Sequence, residues 1–328
     1  MSYADIGVRS FINCCGTRTI NSDSLMLPCV RDAMMEASRA FVNMDELMEG
    51  VGSRLAALTG AESAIVTSGG AAALCVAAAA AVTGGDPERI QRLPQLQGRT
   101  DRVVMLTSGR FTYDQTIRAV GATIVEVETI KQLTAELANE RTALVALLGS
   151  DEAGLISIET IAALANPRVI PLLVDAASEH LRNPNPYLEA GATMVAYSGG
   201  KYLRGPQCTG LLLGSGPWVP AAWTNAAPHH TFARMMKVGK EEIMGLLAAV
   251  EHWSTERDDD VERQSMVRLA GDDLESCDRN RWRDYGDSPP EERQVADAAT
   301  ADYLAGGLDA RIGTASGSAR RLATGHAG

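Results

Sequence analysis

Three short pieces of the chain carry residue types that can do chemistry together. "SGGKYLRGPQCTG", residues 198 to 210, places Lys201 directly after two glycines, and a lysine amine on such a loop can form a Schiff base with an aldehyde. "TSGGAAAL", residues 67 to 74, leads from an apolar run into an alanine-rich stretch. The amides of Gly69, Gly70 and Ala71 would stand unpaired at a helix N-terminus, where an anion binds. It is not a P-loop, because the GxxxxGK[ST] spacing is absent, and no GxGxxG follows a strand. "PLLVD" ends on Asp175, a carboxylate that needs a cationic or hydrogen-bonding partner at the end of so apolar a run.

Each piece has an ordinary reading when taken alone. A Gly-Gly turn serves a plain strand-to-helix connection, Asp175 suits the N-cap of "AASEH", and most lysines are surface residues. Taken in order, the three supply a phosphate cup, a carboxylate for a protonated pyridine nitrogen and a Schiff-base lysine. That combination points to pyridoxal 5'-phosphate, with the glycines around Lys201 leaving room for its planar ring.

The elements that must position these residues follow from hydrophobic patterning. Short apolar runs at 63–68, 102–107, 122–128, 142–150, 169–177, 193–200 and 209–215 read as seven strands. Helical stretches such as "AAALCVAAAAAVTG", "YDQTIRAVGA" and "IETIAALAN" fall between them. This alternation predicts an α/β fold with a mostly parallel sheet and helices on both faces. Ser68, Gly69, Gly70, Asp175, Ser198 and Lys201 then fall at carboxyl ends of strands, the edge where open α/β sheets bind ligands.

At this point a family resemblance enters. "INCCGT", "MDEL", "LTGAESAIVTSGGAAAL", "YDQTIRAVGA", "VDAASE", "SGGKYLRGPQCTGLLLG" and "MMKVGKEEIMGLL" together resemble the selenocysteine-synthase-like group of fold-type-I pyridoxal-phosphate enzymes. Within that group the chain is most similar to the D-glucosaminate-6-phosphate ammonia-lyase-like members. The resemblance implies a fold-type-I transferase fold and a homodimer, or higher homo-oligomer, with the active site at the interface. It implies Lys201 as the Schiff-base lysine, Asp175 as the pyridinium partner, and Ser68, Gly69, Gly70 and Ser198 on the phosphate, where the residue reading adds Ala71. Gly205 and Gln207 are expected at the cofactor where the partner subunit approaches, and a ring from "GRFTYD", either Phe111 or Tyr113, on the cofactor face. Asn13, Gly16 and Thr17 occupy the segment that borders the substrate in relatives, although Asn13 would equally cap a turn. Arg18, Arg234, Lys237 and Lys240 are candidates for a substrate carboxylate or phosphate. His229 and His230 offer a proton relay or a surface pair.

The expected activity is α,β-elimination with ammonia release from a 2-amino-3-hydroxy acid, the narrower reading being a phosphorylated amino sugar acid. Racemisation, β-replacement and a catalytically silent homodimer of the same fold remain open alternatives. Net charge of -11 and a pI near 5.0 supply no basic footprint for nucleic acid or an anionic membrane. The chain opens almost directly on "INCCGT", which leaves no room for a tRNA-binding domain and ranks selenium transfer low. With no signal-like segment and no apolar run long enough to span a bilayer, the expected location is the cytoplasm. Six cysteines without CxxC spacing exclude a zinc or disulfide framework, no metal is expected, and five of them read as small buried residues. Residues 1–50 are expected to form an N-terminal segment bordering the site and residues 51–257 the cofactor domain. Residues 258–328, rich in Arg, Asp, Gly, Ala and Ser without a helical or strand period, read as an atypical, poorly ordered segment, as from a shifted reading frame.

Overall fold

The computed structural model describes residues 1–13, 15–96, 100–149 and 156–255. The expectations for residues 258–328, Cys14 and Cys277 lie outside the described residues. All seven predicted strands are present: β1 (Ser63–Thr67), β2 (Arg102–Leu106), β3 (Thr123–Val127), β4 (Thr142–Leu148), β5 (Leu172–Asp175), β6 (Met194–Ser198) and β7 (Gly210–Gly214). They form one sheet in the order β1-β7-β6-β5-β4-β2-β3. β7 runs antiparallel to β1 and β6, and every other pairing is parallel.

The described helices are α1 (Pro28–Ala37), α2 (Met44–Thr59), α3 (Gly70–Thr83), α4 (Pro87–Arg92), α5 (Asp114–Ala119), α6 (Ile130–Leu137), α7 (Ile158–Ala165), α8 (Pro186–Glu189), α9 (Trp218–Asn225) and α10 (Lys240–Thr255). α3 is buried nearly all round, because its run of alanines gives no polar face and lets it lie close against β4, β5, β6 and β7. α2 packs on β1 and on α10, and α10 in turn packs on α1.

One strand begins later than its apolar run predicts. Val169 ends a 3-10 turn (Asn166–Arg168) in the left-handed region at φ 58°, and Pro171 follows with no N–H for the sheet. β5 therefore starts at Leu172, and its short length leaves Asp175 as its last residue.

The register defines the functional edge. Ser198 on β6 and Thr67 on β1 both pair with Gly210 on β7, which brings the ends of β1 and β6 to one level. Asp175 pairs with Ala196, two residues back along β6.

Helix α2 offers a paired test of this packing. A methyl added at Gly50 meets nothing within 4 Å, whereas one at Gly52 runs into the Ala64 carbonyl of β1. Gly50→Ala should stabilise the fold by up to ~1 kcal/mol through helix propensity. Gly52→Ala should destabilise it by about 1–3 kcal/mol through overpacking. Urea unfolding midpoints of the two variants check the contrast, and a destabilised Gly50→Ala beside a neutral Gly52→Ala would contradict the α2–β1 packing.

Candidate active site

Asp175 ends β5 only 7% exposed. Its Oδ1 accepts the Ala177 N–H at 2.9 Å, the short turn that an aspartate makes two residues on. Oδ2 accepts no hydrogen bond from the described residues. Burial holds this carboxyl above the ordinary carboxylate range, and the Ala177 N–H and the charge of Lys201 only partly pull it back.

Gly69 precedes α3 at φ 94°, ψ 162°, with open space where its Cβ would stand. α2, α4, α6, α7 and α8 each receive a side-chain N-cap, whereas α3 receives none. Its first amides are therefore free to meet an anion. A methyl at Gly70 would lie 3.3 Å from Ala177 Cβ and 3.7 Å from Ser198 Cβ, so the start of α3, the turn after β5 and the end of β6 adjoin one another. Ser68 and Ser198 carry hydroxyls without hydrogen-bond partners among the described residues.

Lys201 follows β6, and its Nζ donates to Ser178 Oγ at 2.8 Å. The glycines before it are required by the chain's own packing. A methyl on Gly199 would collide with Thr209 Oγ1, and one on Gly200 would stand 2.6 Å from Gln207 Cα. They allow the lysine loop to fold onto itself, closed by Gly199 N–H to Thr209 O and Gly205 N–H to Gly199 O, both at 2.8 Å.

The N-terminal residues hold the same loop from outside. Ser24 donates to Gly200 O through its N–H at 3.1 Å and its hydroxyl at 2.7 Å. Arg204 Nε donates to Leu25 O, and Gln207 Nε2 donates to Thr19 O at 3.1 Å. Gly205 lies buried against Leu246 and Ala249 of α10 with its N–H already committed. These contacts are made within its own chain.

Other candidates sort by their bonding. Phe111 packs against the core while Tyr113 is 52% exposed, with ring centroids 6.5 Å apart. Both ride on a segment pinned by Arg110 and Arg118 to the buried Asp114. Asn13 Oδ1 accepts the Cys15 N–H at 3.0 Å and its Nδ2 donates to Gly16 O at 2.9 Å, the turn-capping role. Thr17 lies beside it, half-buried. Arg18, Arg234 and Lys237 are exposed, with side chains that have no partner among the described residues. Lys240 instead donates to Ala37 O and pairs with Glu241.

His229 Nε2 bonds to Asp45 Oδ1, which also accepts from Trp223 Nε1. Of the described cysteines only Cys75 is buried. Cys15, Cys29 and Cys208 are exposed because they sit on the N-terminal segment, the outer side of α1 and the lysine loop. Ser178, His180 and Tyr202 are neighbours of Lys201 that the sequence reading does not single out. The signal for Ser178 was present, because it falls in the same turn as Asp175.

The arrangement fits pyridoxal phosphate. Among the described residues Asp175 Oδ2 accepts no hydrogen bond, no side chain caps the start of α3, and the Ser68 and Ser198 hydroxyls beside it have no partners, while an amine stands at the same edge. The cost of the buried carboxylate is measurable. Unfolded, Asp175 titrates at the ordinary carboxylate value, while burial raises it in the fold. The stability this contributes is present below the ordinary value and is lost as pH rises through the raised one. In the cofactor-free chain, Asp175→Asn should raise the thermal midpoint at neutral pH and flatten the fall in stability as pH rises above the ordinary carboxylate value. An unchanged slope would show that the fold already compensates the charge.

Comparison with known proteins agrees with this geometry. The sequence model described as "Cys/Met metabolism PLP-dependent enzyme" matches residues 38–226. The chain is 36% identical over 264 residues to the D-glucosaminate-6-phosphate ammonia lyase of Salmonella typhimurium, covering 76% of this chain and 69% of the relative. It is 31% identical over 283 residues to the 5'-C-glycyluridine monooxygenase-decarboxylase of a Streptomyces species, covering 82% and 69%. A solved structure of a D-glucosaminate-6-phosphate ammonia-lyase superposes with TM-score 0.72 at 35% identity over 78% of this chain and 71% of that one. The match over more than half of the chain places it in the Cys/Met metabolism family of pyridoxal-phosphate-dependent enzymes, to which the chain therefore belongs.

Proposed function

We propose that the chain is an ammonia-lyase acting by α,β-elimination on a 2-amino-3-hydroxy acid, with D-glucosaminate 6-phosphate or a similar phosphorylated amino sugar acid as substrate. The observation that carries the reading is the convergence of Asp175, Lys201 and the uncapped start of α3 on one sheet edge. The similarity to an ammonia lyase supports the reaction class.

When bound, pyridoxal phosphate supplies an electron sink conjugated to the substrate Cα. Asp175 keeps a proton on the ring nitrogen, since among the described residues no cation hydrogen-bonds to its carboxylate. The α3 amides of Gly70 and Ala71, with Ser68 and Ser198, hold the phosphate. Lys201 Nζ takes the proton from Cα and returns it to the departing β-oxygen, which leaves as water. The unsaturated amine then hydrolyses to ammonia and a 2-keto-3-deoxy acid. Arg18, Arg234 and Lys237, whose side chains have no partner among the described residues, are assigned to the acid's carboxylate and phosphate.

The assembly is read as a homodimer in the cytoplasm. Large apolar side chains exposed on the described chain concentrate in its first 42 residues, among them Tyr3, Phe11, Ile20, Leu25 and Phe41. Such a surface calls for a cover, and a second copy is the cover proposed, with residues 1–50 bordering the site through their bonds to the lysine loop. Among the described residues no helix is long and apolar enough to cross a membrane.

Ammonia and keto-acid release from D-glucosaminate 6-phosphate tests the activity, with Lys201→Ala lowering turnover by about a thousandfold or more. Inverted substrate without keto acid would favour a racemase, and full activity in Lys201→Ala would end the reading. Sedimentation should give a dimer, and Phe11→Asp with Ile20→Asp should shift it toward monomer. A monomeric wild type would overturn the assembly.

A further inference from the structure

Two contacts fasten the turn after β5 to the lysine loop. Lys201 Nζ donates to Ser178 Oγ at 2.8 Å. Beside that bond the rings of His180 and Tyr202 pack with centroids 4.2 Å apart and planes inclined by 34°. The turn that carries Ser178 is itself anchored. Asp175 Oδ1 accepts the Ala177 N–H, Ala176 O accepts the Glu179 N–H at 3.0 Å, and the Glu179 carboxylate accepts from the buried Tyr187 hydroxyl. Ser178 Oγ is thus a fixed point, whereas the lysine stem is a flexible four-carbon chain with many rotamers of similar energy. One hydrogen bond at its tip selects among them.

We propose that Ser178 is a positioning residue for Lys201. By accepting an N–H of the amine, its hydroxyl sets where Nζ stands when the lysine links to the cofactor and where it returns when substrate displaces it. In the linking step the Nζ lone pair bonds to the aldehyde carbon, and the carbonyl oxygen leaves as water carrying both hydrogens of the neutral amine. No oxidant or further reactant is required. Once the link exists, the N–H that Ser178 accepts is gone. Ser178 therefore governs the rate of linking and not the affinity of the phosphate cup. The inference rests on Lys201 being the cofactor lysine.

The test uses the full chain freed of cofactor. Addition of pyridoxal phosphate is followed by the absorbance of the covalent link, and affinity for pyridoxamine phosphate is measured in parallel. The second compound carries an amine in place of the aldehyde and cannot link. Ser178→Ala should slow linkage on the order of tenfold while leaving affinity for pyridoxamine phosphate unchanged, and Ser178→Thr, which keeps the hydroxyl, should restore most of the rate. Linkage at the wild-type rate in Ser178→Ala, or equal losses in linkage and in pyridoxamine phosphate affinity, would overturn the proposal. Failure of the wild-type chain to link would instead count against Lys201 as the cofactor lysine.

Discussion

A carboxylate at the end of a buried strand is the constraint around which this structure is arranged. Asp175 is held above the ordinary carboxylate range by burial, and the described residues give it a single N–H in return. In a fold selected for stability alone, such a group would be replaced or paired. Here its free oxygen faces the same edge as the uncapped start of α3 and the amine of Lys201. A ligand with a protonated ring nitrogen at one end and a phosphate at the other satisfies the carboxylate and the helix together. On the proposed reading, these groups supply part of the cofactor's binding energy.

Geometry at that edge depends on main chain lying against main chain. Gly210 links the ends of β1 and β6 through the antiparallel β7, and the glycines at 199 and 200 let the lysine loop close on residues 207 to 209. Residues 19 to 27 then bind the outer side of that loop. The flexible lysine is thus mounted on a rigid support, and the exposed apolar surface of the N-terminal residues ties that support to the proposed dimer. Anything that loosens the cover would reach Lys201 through two layers of hydrogen bonds.

Much of this was legible in the sequence, because buried parallel strands must be continuous apolar runs and their polar successors fall at one edge. All seven strands and the Gly-Gly, Asp and Lys pieces were readable on that ground. Close approach of backbone was not. A glycine marks that something comes near without saying what, and at 199 and 200 it is the loop itself. The start of β5 was obscured because apolar residues continue through a left-handed Val169. Ser178 falls in the same turn as Asp175, but its bond to the lysine amine is made only by the fold. The exposed cysteines followed a burial tendency that holds on average and fails on segments lying outside the core.

The central claim is that Lys201, and no other lysine, holds the cofactor at this edge. Borohydride reduction of the cofactor-loaded chain, followed by proteolysis and fragmentation of the labelled peptide, tests it most directly. The account predicts a stoichiometric pyridoxyl label on Lys201. A label on Lys131, Lys237 or Lys240, or none on any lysine, would contradict it.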